Sequence, residues 1–115
     1  MEPINSTELI RELKQTSSAL LKKEVSTISG FSKIELRAIV QQTILVSLSM
    51  NSGEINDVNR AFYLTRIAVM VQHFVRSLAG VMVSIIEKLW NALIQVLWNA
   101  ISKATEVPLE KFKTY

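Results

Sequence analysis

Between Asp57 and Ala104 the chain carries no proline and only one glycine, Gly80. A run this long without breakers, with apolar residues recurring at helical spacing, predicts helix more strongly than any other part of the sequence. Its polar residues form a narrow line. Tyr63, Arg66, His73, Ser77, Gly80, Ser84, Glu87, Asn91, Gln95 and Ser102 follow one another in steps of three, four or seven, which keeps them on one helical stripe. Phe62, Ile67, Val71, Phe74, Leu78, Val81, Ile85, Leu89, Leu93, Val96 and Ile101 represent the rest of the circumference. A helix apolar around most of its girth has to be covered on several sides. As one element it would be roughly 70 Å long at the standard rise, with a kink at Gly80 as the alternative.

Two shorter helices are expected upstream. Asn5 followed by Glu8 has the pattern of a helix N-cap with its acidic partner. Leu9, Ile10, Leu13, Leu20, Leu21 and Val25 then share one face, so a helix is expected over about 5–26. Gly30 suits a left-handed helix end. Ser32 and Glu35 make a capping box that starts a second helix over about 33–50. Its second half, "TILVSLSM", is rich in β-branched residues and competes locally as a strand, but no second strand is in sight to pair with it. Gly53 in "NSGE" ends that helix, and Asn56 or Asp57 begins the next. The expectation is an all-α fold: a single domain over 1–105, with helices at about 5–26, 33–50 and 57–104, and a loosely held tail over 106–115 following Pro108.

Three helices of these lengths leave a deficit of cover. Two of roughly 30 Å cannot enclose the apolar perimeter of a third more than twice as long, and the remainder would be a larger patch than soluble monomers show. A second copy is the expected answer, a dimer before a higher oligomer. The phrase Trp-Asn-Ala occurs at 90–92 and again at 98–100, about two helical turns on. Trp90 and Trp98 therefore lie on similar sides, with Leu93 and Leu97 between them. Ordinary intrachain core is the plain reading of that stripe, and a self-association anchor the sharper one. Ser77, Gly80 and Ser84 place small side chains on one line, where a neighbouring helix could approach closely. The expected self-association residues are thus Ser77, Gly80, Ser84, Trp90, Leu93, Leu97 and Trp98.

Chemistry is hard to find. There is no cysteine, so disulfides, thiolates and Cys-ligated zinc are excluded together, and a reducing, cytoplasmic setting is the natural expectation. His73 is the one histidine and has no acidic residue at ligand spacing. No serine elbow and no glycine-rich phosphate loop occur. No catalytic residue, metal ligand or cofactor is therefore expected, and no small-molecule substrate. The net charge of +3 is spread along the chain rather than clustered, which speaks against specific nucleic-acid binding. With 49% hydrophobic residues the chain is oily, yet its best apolar windows are interrupted by Gln72, His73 and Arg76, or by Glu87 and Lys88. The function expected is a non-enzymatic, helical homo-oligomer serving as an assembly, scaffold or adaptor subunit. The alternative is a small membrane-active protein, interfacial or holin-like, that is membrane-associated through the amphipathic long helix.

Overall fold

A computed structural model describes residues 3–109, and every regular element among them is helical. Helix α1 spans Ser6–Leu21, α2 Lys33–Ser52, α3 Arg60–Arg76 and α4 Val83–Thr105, with a 3-10 turn at Val25–Thr27. The caps follow local chemistry. Asn5 Oδ1 accepts from the Glu8 amide at 3.0 Å, and Ser32 Oγ accepts from the Glu35 amide at 3.1 Å. Gly53 closes α2 in the left-handed region, its amide donating to the Met50 carbonyl. The stretch that competes as a strand is helix, and Thr43 at its start is fully buried with its hydroxyl donating to the Ile39 carbonyl.

Three expected boundaries are corrected. The first helix stops at Leu21 rather than 26, and Lys22, not Gly30, takes the left-handed cap position at φ 58°. The chain turns there because Val25 can then enter the core at 1% exposure, with its amide held by Ser18 Oγ. The third helix begins at Arg60 with Asn59, and not Asn56 or Asp57, at its N-cap position. Asn56 and Asn59 are engaged in the turn before it, Asn59 Oδ1 accepting from the Asn56 amide. The largest correction concerns 57–104, which is not one element. The helix ends at Ser77, and Gly80 sits at φ 72° in a loop before α4 begins at Val83. A 70 Å rod has no place in a molecule whose longest extent is 41 Å. Breaking a helix forfeits a few backbone hydrogen bonds, each worth about 1 kcal/mol net. Folding back buries Leu89, Leu93, Ile94, Leu97, Trp98 and Ile101 to 2% exposure or less, at roughly 1.5–3 kcal/mol for each large apolar side chain. Burial wins.

The four helices alternate in direction. Glu8 and Leu9 of α1 border the same depression as Asn99, Ala100 and Lys103 of α4, while Leu20 and Leu21 lie beside Ile85. Asn51 Nδ2 near the end of α2 donates to the Ala104 carbonyl near the end of α4. One continuous core runs between all four helices, from Leu9 and Leu13 through Leu36, Ile39, Leu64, Ile67 and Phe74 to Leu97 and Ile101. Leu109 is also fully buried and its amide is held by Ser102 Oγ, so the chain beyond α4 is fastened at least that far. The rest of the expected tail, 110–115, lies outside the described residues.

The chain is built twice. In α1–loop–α2 and α3–loop–α4, Ile28-Ser29-Gly30-Phe31 and Leu78-Ala79-Gly80-Val81 occupy equivalent places. Ile28 and Leu78 are both buried, and Gly30 and Gly80 both take positive φ. The two loops lie back to back. The Ala79 amide donates to the Ser29 carbonyl at 2.8 Å, and Phe31 meets Phe74 edge to face at 5.9 Å. The approach is closest at Gly30, where a Cβ would fall 1.8 Å from the Ser77 carbonyl oxygen.

Candidate interaction surface

The residues expected to form a self-association seam are dispersed. Leu93, Leu97 and Trp98 are spent on the chain's own core, at 1%, 0% and 2% exposure. Trp90 is half-buried and joins α4 to α3, its indole Nε1 donating to the Ala68 carbonyl at 3.0 Å. Ser77 caps α3 and bonds the His73 carbonyl, Gly80 is in the loop, and Ser84 is exposed in the first turn of α4. The small-residue line is therefore not a helical seam, and nothing lies within 4 Å of a Cβ placed at Gly80. The repeated Trp-Asn-Ala phrase serves intrachain packing, the plainer of its two readings.

Other apolar side chains face outward instead. On α2 these are Ile34, Leu45 and Leu48, exposed by 82%, 55% and 58%. Val58, Phe62 and Val69 lead into and along α3, and Met82 and Val83 stand at the loop before and start of α4. None of these large exposed side chains is on α1. Helices α2 and α3 are packed neighbours, but Leu48 borders a hollow shared with Ile4 and Ala104, while Phe62 and Val69 border one made by α3 alone. That shallow hollow on the outer face of α3 is lined by Ala61, Phe62, Thr65, Arg66, Val69 and Met70. Helix α3 carries Arg60, Arg66, His73 and Arg76 and no carboxylate. Arg66 lies 6.0 Å from the centroid of the Phe62 ring, along the border of the hollow.

Charge is also sorted along the bundle axis. At the end holding the paired loops stand Lys22, Lys23, Lys33, Arg37, Arg76 and Lys88, against Glu24, Glu35 and Glu87. At the other end Glu8, Glu12, Glu54, Asp57 and Glu106 outnumber Arg11, Arg60 and Lys103. Alternating helix directions largely cancel the backbone dipoles, so side chains set this polarity. Two of the opposite-end cations are engaged locally, Arg11 with Glu8 at 3.3 Å and Arg60 with Asp57 at 2.6 Å.

The exposed apolar residues escape a reading of the sequence for a physical reason. Outward positions are defined only once the inward stripe is known, and α2 is mixed around its axis, with Thr43 and Ser47 inside and Leu45 and Leu48 outside. The single legible hint is the four-three-four spacing of Val58, Phe62, Thr65 and Val69. For metal chemistry the described residues offer no group of three His, Cys, Asp or Glu side chains placed to hold an ion. His73 is exposed on α3. Among the described residues no helix is long and apolar enough to cross a membrane. No family model matches the chain, and neither curated proteins nor solved structures include a significant match to it.

Proposed function

We propose that this chain is a non-enzymatic assembly or adaptor subunit that works by apolar contact through the outer face of α3, with a second copy as its partner. The observation that carries the reading is the exposure of Phe62 and Val69 on one face of α3, 62% and 43%. The two lie about two turns apart, symmetric about the Thr65–Arg66 peptide. An antiparallel pairing of α3 with its copy, the geometry of a closed two-fold dimer, sets Phe62 against Val69 of the partner subunit and the reverse. The hollow beside them receives the ring. The reading rests on α3, and not on the tryptophan stripe, because the tryptophans are already packed within the chain.

That pairing brings Arg66 towards its own counterpart, so like charges oppose the apolar gain. Added salt screens the repulsion and strengthens the association, contrary to the usual behaviour of charge-driven contacts. Sedimentation velocity across low micromolar concentrations tests this. The parent protein is expected to dimerise, more so at high salt, and Phe62→Ser to remain monomeric with unchanged helicity. A parent that stays monomeric throughout the range overturns the reading.

A further inference from the structure

We infer that the end of the bundle formed by the two paired loops seats on an anionic lipid bilayer. Three observations converge there, none of which depends on the pairing of α3 with its copy. First, Ile34, Met82 and Val83 project with 82%, 71% and 73% of their surface exposed. All three follow directly on the two loops that the Ala79–Ser29 hydrogen bond holds together. Side chains of this size so fully in water at the tip of a folded domain have no role in its packing, and each can enter the acyl boundary without the backbone moving. Second, a concavity at the same end is lined by Leu20, Leu21, Ile28, Val81, Met82 and Ile85 together with Lys22 and Lys23. That pairing of apolar surface with flexible cations is what a headgroup and the upper part of a lipid chain complement.

Third, the charge is directional. Lys22, Lys23, Lys33, Arg37, Arg76 and Lys88 stand at the loop end against Glu24, Glu35 and Glu87, with Lys22 and Lys23 beside Met82. Among the described residues carboxylates outnumber cations at the far end. An anionic surface therefore attracts the loop end and repels the opposite one, so the field orients the molecule before contact. A bilayer fits these facts better than a nucleic acid does. The apolar tips would gain nothing against phosphates alone, and among the described residues no base-stacking aromatic is exposed at this end. Seating is peripheral: a few side chains enter the interface while the four helices stay folded, in keeping with the absence of any spanning helix among the described residues.

Flotation with vesicles of phosphatidylcholine alone, and of phosphatidylcholine mixed with phosphatidylglycerol, tests the inference on the full chain. Binding is expected to the mixed vesicles at low salt, to be weak on the neutral ones, and to fall as salt rises. Each cation near such a surface contributes about fivefold in partitioning. Lys22→Glu with Lys23→Glu should therefore lose about 25-fold or more. Ile34→Ser, Met82→Ser and Val83→Ser together, all at exposed positions and so compatible with folding, should lose at least about tenfold at unchanged charge. Phe62→Ser should bind vesicles like the parent while losing self-association, which separates this surface from the outer face of α3. The inference is overturned by equal binding to neutral and mixed vesicles, by a triple serine variant that binds like the parent, or by loss of binding in Phe62→Ser.

Discussion

Gly30→Ala should be the most damaging single-methyl addition at any glycine of this protein. Two costs combine. At φ 92° an alanine occupies backbone space that suits only glycine, a penalty of about 1–2 kcal/mol. The new methyl also falls 1.8 Å from the Ser77 carbonyl oxygen, and backbone, unlike a flexible side-chain tip, cannot simply swing aside. The loops must part, which strains or breaks the 2.8 Å bond from Ala79 to Ser29, worth about 0.5–1.5 kcal/mol, and loosens Phe31 against Phe74. A loss of about 1.5–3.5 kcal/mol follows from the strain and the lost bond, a large share of the roughly 5–15 kcal/mol that holds an ordinary domain together. Gly80→Ala supplies the internal control: its φ is similarly positive, but nothing lies within 4 Å of the added carbon. It should cost the backbone penalty alone, about 1–2 kcal/mol. Urea unfolding of the parent and both variants, followed by circular dichroism, measures the difference. If Gly30→Ala and Gly80→Ala are equally destabilised, the close approach of the two loops does not govern stability and the reasoning fails.

Further outcomes follow from individual contacts. Trp98→Ala should lose about 3–5 kcal/mol as a core truncation while leaving any dimer intact once folded, as equilibrium unfolding and sedimentation would show. Trp90→Phe keeps a ring but leaves the Ala68 carbonyl without its indole donor, so a loss of about 1 kcal/mol is expected in the same unfolding assay. Ser32→Ala removes the acceptor for the Glu35 amide and should cost about 1 kcal/mol, with a matching drop in the thermal midpoint.

The sequence was most informative where a structure depends on neighbours in the chain. Asn5, Ser32 and Gly53 act through bonds to residues three positions away, and their patterns place three helix ends correctly. The break at 77–82 is a different matter. Ser77, Leu78 and Ala79 all tolerate helix, and a lone glycine costs only about 1 kcal/mol inside one. What forces the turn is the burial of Leu93, Leu97 and Trp98 against the other helices, a gain that no local window contains. The premise that this apolar run needs cover on several sides was sound, and the chain meets it by doubling back on itself. The missing clue was the earlier loop: Ile28-Ser29-Gly30-Phe31 matches Leu78-Ala79-Gly80-Val81 in hydrophobic pattern, but with glycine alone identical. The candidate surfaces were hidden for a related reason. Phe62 and Ile67 look alike in sequence, and only the packed bundle assigns one to water and the other to the interior.

The bond that joins the two loops also makes the Ala79 amide a sensor of how this protein comes apart. Each helix–loop–helix half is continuous in sequence, and the halves are joined covalently only through 53–59. A fluctuation that separates them breaks the Ala79–Ser29 bond while leaving the hydrogen bonds inside each helix closed. In native-state hydrogen exchange, Ala79 should then lose its protection with a lower opening free energy than Leu93 or Ile94 in the middle of α4. The two halves would behave as separate cooperative units, and the difference between those energies would measure how strongly one holds the other.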